Sequence, residues 1–136
     1  MTLQSLSIGT TASESMHVTD AVVQAFADVS GDHNPVHLDA AYASGTRFKE
    51  RIAHGMLAGA LVSSVIGNRL PGHGTIYLSQ SLQFKAPVFC GDHITAKVTI
   101  VEHLAKGRLR LRTEVHRSDG TLVVDGEAVV IPPATP

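Results

Sequence analysis

Two hydrophobic periods divide the chain. The second half alternates apolar and polar positions, the period of a strand with one covered face. In "DHITAKVTIV", Ile94, Ala96, Val98 and Ile100 share one face, and His93, Thr95, Lys97 and Thr99 the other. "RLRLRTEVHR" sets Leu109, Leu111, Thr113 and Val115 against Arg108, Arg110, Arg112 and Glu114. After the turn signal "SDG" at 118–120, Leu122, Val124, Gly126, Ala128 and Val130 alternate with Val123, Asp125, Glu127 and Val129. Upstream, "IYLSQSLQFKA" sets Leu78, Gln80, Leu82 and Phe84 against Tyr77, Ser79, Ser81, Gln83 and Lys85. Four strands in succession with short connections predict an antiparallel sheet with one covered face and one wetter face.

The first half has the helical period. Thr19 or Asp20 is placed to cap a helix whose Val22, Val23, Phe26 and Val29 share a face, and Gly31 to end it. "HGMLAGALVSSVIGNRL" is a second helix, apolar on nearly all sides, which predicts burial. Its small residues Gly55, Ala58, Gly59, Ala60, Ser63 and Ser64 would let a sheet approach closely, and Gly67 and Asn68 provide the stop. The sum is an α+β arrangement, an antiparallel sheet wrapped around a long buried helix, in one domain over residues 1–136. Such a sheet leaves edges, and pairing with a second copy would cover them, so a homodimer is expected.

Composition narrows the function. With 136 residues, 43% apolar and 17% charged, the chain is long enough for a real core. A net charge of −1 argues against a nucleic-acid binder that works by neutralising phosphates. One cysteine, Cys90, permits no internal disulfide and reads as a buried, inert thiol. The N-terminal stretch has neither the basic nor the apolar region of a signal peptide, and no apolar run is long enough to span a bilayer. A cytoplasmic protein without membrane partners is expected, with "IPPATP" as a frayed tail. Eight histidines are the unusual count, and they direct attention to acid–base chemistry or metal.

The chemistry concentrates in "SGDHNPVHLDAAYA", residues 30–43. Pro35 pushes Asn34 into an extended conformation and predicts an ordered loop over 31–37. Asp32 and His37 flank the bend and could converge, and a carboxylate beside an imidazole can hold and deprotonate a water. Alternatively, Asp32 makes an Asx-turn and His37 is an ordinary loop histidine. In "RIAHGML", His54 and Gly55 open the second helix, whose first N–H groups lack intrahelical partners. Without a side chain, Gly55 would let a ligand oxygen approach its N–H, as an oxyanion site requires; alternatively it serves only close helix–sheet packing.

"FADVSGDHNPVHLDAAYA" resembles the hydratase-2 signature of the MaoC-like (R)-specific enoyl-CoA hydratases. The likeness continues through "FKERIAHGML", "SSVIGNRLPGHGTIYLSQSLQFKAPVFCGD" and "GEAVV", and is greatest to the short single-domain members that feed polyhydroxyalkanoate synthesis. The resemblance implies a hot-dog fold, a dimer, and reversible hydration of a trans-2-enoyl-CoA to an (R)-3-hydroxyacyl-CoA without cofactor or metal. It implies that Asp32 and His37 are the catalytic pair, that the Gly55 N–H stabilises the thioester enolate, and that Asn34 braces the loop. Along the helix from Gly55, Ser63 and Ile66 are candidates for the acyl pocket. Lys85, Lys49 and Arg69 are candidates for the coenzyme A phosphates. His33 has no assigned role. The rival readings are a metal site at His33 and His37, a hot-dog thioesterase, a non-catalytic acyl-binding subunit, and a dehydratase acting on acyl-carrier protein.

Overall fold

The computed structural model describes residues 6–134, so the first five residues and the end of the "IPPATP" tail lie outside the described residues. The chain opens with a strand that the hydrophobic pattern does not announce, β1 (Thr11–His17). Of its half-buried positions Ala12, Glu14 and Met16, the middle one is charged, which hides the alternation. Glu14 is accommodated because its carboxylate accepts from Ser64 Oγ at 2.6 Å and Arg69 Nε at 2.9 Å. Those bonds hold its carboxyl below the usual carboxylate range, the Ser64 hydroxyl contributing most.

Helix α1 (Asp20–Ser30) starts and stops as its sequence predicts. Thr19 Oγ1 accepts from the Val22 N–H, and Gly31, at φ 79°, donates its N–H to the Ala27 carbonyl. Val23 and Ala27 are buried, but Val29, expected on the covered face, is 83% exposed. Two short helices follow, α2 (Pro35–Leu38) and α3 (Ala40–Ser44), and then the long helix α4 (Gly55–Asn68). The expected loop over 31–37 is therefore corrected. Pro35 takes the first position of α2, where a missing N–H costs nothing and the fixed φ suits the helix, and Asn34 caps it.

The sheet contains β2 (Ile76–Gln80), β3 (Gln83–Phe84), β4 (His93–His103), β5 (Leu109–Arg117) and β6 (Leu122–Ile131) besides β1. Its order is β1-β4-β5-β6-β2, with β3 also paired to β6, and all pairings are antiparallel. β4, β5 and β6 form the expected meander. The upstream strand breaks in two, β2 and β3, and joins the far side of β6 instead of β4. A register shift between β5 and β6 after Val115 turns Val123 inward beside Val124, so Val123, expected on the wetter face, is buried.

α4 lies in the concave face of this sheet. Leu57, Ala58, Leu61, Val62, Val65 and Ile66 join one core with Ile94, Val98, Leu111 and Val124 of the sheet. Each large aliphatic side chain so buried contributes about 2 kcal/mol of transfer free energy. The helix is not covered all round, as its composition suggested. Met56, Ala60 and Ser63 form a bare stripe, with Met56 55% exposed. The sheet curls around only part of the helix, and the stripe faces the open side. Among the described residues, no helix is long and apolar enough to cross a membrane.

Candidate active site

The segment after α1 is tied down by its own polar side chains. Ser30 Oγ accepts from the Asp32 N–H at 3.1 Å, and Asp32 Oδ1 accepts from the Asn34 N–H at 3.1 Å. Asn34 Oδ1 accepts from the Val36 N–H at 3.2 Å. Asn34 is thus bonded on both sides within the turn between Asp32 and His37. These Asx-type bonds coexist with the convergence of the two side chains, so the bland and the chemical readings of Asp32 do not exclude each other.

His37, on α2, is only 7% exposed, and its Nδ1 lies 2.7 Å from the Ile52 carbonyl oxygen. A carbonyl only accepts, so Nδ1 carries the proton and Nε2 keeps a lone pair. Burial pushes the His37 imidazole below its ordinary value. The bond to Ile52 and the charge of Asp32 oppose that shift, and the charge of His54 adds to it. The result is a neutral imidazole poised as a base.

His54, just before α4, is the residue that the spacing of the loop motif could not reveal. It is 3% exposed, and its ring lies 3.9 Å from that of His37 at 31°. Its Nε2 is 2.9 Å from the main-chain oxygen of Asp32. Asp32, His37 and His54 each offer a polar atom, and all three atoms lie within 4.8 Å of one another. The only advance signal was a histidine beside Gly55 at the head of an otherwise apolar helix. His33, by contrast, turns to the Gly31 carbonyl and to Asp28 and takes no part, which removes the His33–His37 metal site. The donor types of the new trio suit a metal ion, but His37 Nδ1 and His54 Nε2 are already turned to main-chain carbonyls, which leaves each imidazole one nitrogen.

Gly55 is the first residue of α4, adjoining this cluster, and its N–H belongs to the turn with no intrahelical acceptors. The space beside it is tight, since a Cβ there would stand 2.9 Å from Phe84 Cε1. Two cavities flank this point. A cleft of about 240 Å³ is lined by Arg47, Phe48, Ala53, Gly55, Phe84 and Lys85 among others. An apolar groove of about 430 Å³ runs along the bare stripe of α4, lined by Phe26, Met56, Gly59, Ser63, Tyr77 and Leu82 among others. Phe26 joins the groove to the cluster, its ring 5.0 Å from that of His54.

The structure sorts the remaining candidates. Lys85 lines the cleft, accompanied by Arg47, which sequence reasoning missed. Lys49 is exposed and lines neither cavity. Arg69 follows the far end of α4, about 20 Å from Gly55 at 1.5 Å per residue, and is paired with Glu14. There it braces the end of α4 against β1. Ser63 lines the groove, but Ile66 is 2% exposed and packs in the core. Three residues of helix rotate a side chain by about 60° from Ser63, enough to leave the groove.

Comparison with known proteins agrees with this geometry. Residues 5–123 match the family model described as a MaoC like domain. An (R)-specific enoyl-CoA hydratase from Aeromonas caviae is 47% identical over 131 residues, 96% of this chain and 98% of that protein. Among solved structures, the unliganded R-hydratase PhaJ1 from Pseudomonas aeruginosa superposes with a TM-score of 0.91 at 50% identity, over 95% of this chain and 83% of that one. An (R)-hydratase from A. caviae involved in PHA biosynthesis gives 0.92 at 46% identity, over 96% and 99%. The sheet wrapped around α4 is the hot-dog fold, and the chain belongs to the MaoC-like domain family.

Proposed function

We propose that the protein adds water reversibly across the double bond of a trans-2-enoyl-CoA to give an (R)-3-hydroxyacyl-CoA. The observation that carries this is the convergence of Asp32 and His37, with the His37 Nε2 lone pair free, beside the N-terminus of α4. A water held between the Asp32 carboxylate and His37 Nε2 loses a proton to the pair as its oxygen bonds to C3. The electrons of the double bond move onto the thioester oxygen, where the Gly55 N–H stabilises the enolate charge. The pair returns a proton to C2, so the reaction balances without a cofactor.

The acyl chain fits the apolar groove beside Ser63, and Lys85 with Arg47 suits the coenzyme A phosphates at the cleft. The protein acts as a homodimer in the cytoplasm, and its product is of the kind consumed in polyhydroxyalkanoate synthesis. The test is the loss of enoyl absorbance with crotonyl-CoA and longer enoyl-CoAs, followed by determination of product chirality. Hydration to the (R)-alcohol is expected. Release of free coenzyme A would make the protein a thioesterase, and turnover only of enoyl chains on acyl-carrier protein would make it a carrier-protein dehydratase.

A further inference from the structure

His54 is a buried imidazole that the hydration chemistry above leaves without a task. It stands at the cap position of α4 yet makes no side-chain capping bond. Its Nε2 faces the Asp32 carbonyl at 2.9 Å and so must carry the proton, which leaves a lone pair on Nδ1. Nδ1 is the one buried side-chain nitrogen or oxygen without a hydrogen-bond partner among the described residues. A side chain kept only for packing would gain by having no such atom.

Two geometric consequences follow from its contacts. Holding the Asp32 carbonyl fixes the peptide plane after Asp32, and with it the direction in which the carboxylate leaves the chain. The His37 ring is pinned at one edge by the bond from Nδ1 to Ile52, about which it could still turn. The face of His54, 3.9 Å away and backed by Phe26, blocks that rotation and leaves Nε2 a single direction.

We infer that His54 is a positioning residue of the hydration site, its Nε2–H holding Asp32 through the main chain while its ring face seats the His37 imidazole, so that one side chain sets the separation of the two groups. Its charge state also reaches His37. The groups facing His37 are Asp32 from the loop after α1, His54 at the head of α4, and Arg51, whose Nε donates to the His37 main-chain oxygen and whose Nη2 pairs with Asp20. Of these, a charge on His54 opposes protonation of His37 and the charge on Asp32 favours it.

The inference rests on the hydratase assignment for its kinetic arm only. His54→Phe keeps an aromatic face against His37 and loses the bond to Asp32. His54→Gln keeps an N–H able to reach the carbonyl and loses the ring. His54→Phe should lower kcat about tenfold to a hundredfold with KM changed less than about twofold, and His54→Gln should recover part of that loss. In both, the acid limb of kcat/KM should move to higher pH. Nitrogen-15 spectra of the imidazoles, which need no activity, should show the Nε2–H tautomer of His54 in the wild type and a raised His37 titration midpoint in each variant. A His54 in the Nδ1–H tautomer, or a folded His54→Phe with unchanged kcat and unchanged His37 midpoint, would overturn the proposal. Equal losses in both variants with the His37 midpoint unmoved would reduce His54 to a packing role. A wild type that hydrates no enoyl-CoA would overturn the hydratase assignment and leave the spectra to decide the positioning.

Discussion

Asp32 and His37 enter the resting site on unequal terms. Asp32 is exposed and already accepts the Asn34 N–H, whereas His37 is buried and offers an unencumbered lone pair. If they share one water, Asp32→Asn and His37→Ala should each lower kcat by about two to four orders of magnitude. The double variant should then lose little more, since residues acting as a unit are not additive. Losses that multiply would show separate roles, and near-normal turnover in either single variant would remove it from the site. The sign of the pH dependence follows from burial. His37 binds its proton more weakly folded than unfolded, so its contribution to stability is present above the ordinary value of 6.5 and is lost as pH falls through the lowered folded value. The melting temperature should therefore drop as pH falls below 6.5, and drop less in His37→Gln.

At the scale of elements, two glycines mark where a helix and a strand are approached from outside, with different outcomes for substitution. At Gly55 the obstacle is a side chain, the ring of Phe84, which is 54% exposed. Gly55→Val should leave circular dichroism unchanged and lower turnover about a hundredfold, the scale of one oxyanion donor; unfolding would favour the packing role instead. At Gly126 the obstacle is backbone, since a Cβ would stand 1.9 Å from the Ser81 oxygen. Gly126→Ala should destabilise the fold by about 3 kcal/mol in a urea titration, because the crossing from β2 to β3 must move off β6. The same crossing shows where the sequence stops being informative. The meander of β4 to β6, α1 with both caps, and the convergence of Asp32 and His37 were legible because each depends on local periodicity or spacing. β1 was not, since Glu14 occupies a half-buried position and is satisfied by Ser64 of α4 and by Arg69 just beyond it. The break between β2 and β3 was not, since it is imposed by β6. His54 joins Asp32 across α2 and α3, so no window of sequence contains the pair.

For the whole molecule, the outer edge strand β2 carries the large, exposed apolar residues Ile76 and Leu78. A second copy laid along β2 would pair that edge and cover these residues. Light scattering at micromolar concentration should give about twice the 14.4 kDa chain mass, and Ile76→Lys should shift it toward a single chain. A wild-type monomer with full turnover would contradict this. The strand order has a further consequence for how the molecule is made. β4 pairs with β5 and β5 with β6, so the middle of the sheet needs only short loops to close. The edges do not, for Thr11 waits for Thr99 and Ile76 for Ile131. The segment that carries Asp32, His37 and His54 is also anchored across a loop longer than either turn of the meander, through Ala53 to Val88 and Ile52 to Phe89. Long loops are slow to close. In a refolding experiment the strand signal should therefore return in a faster phase than hydration, and the interval between them is a period in which the chain has its scaffold and no activity.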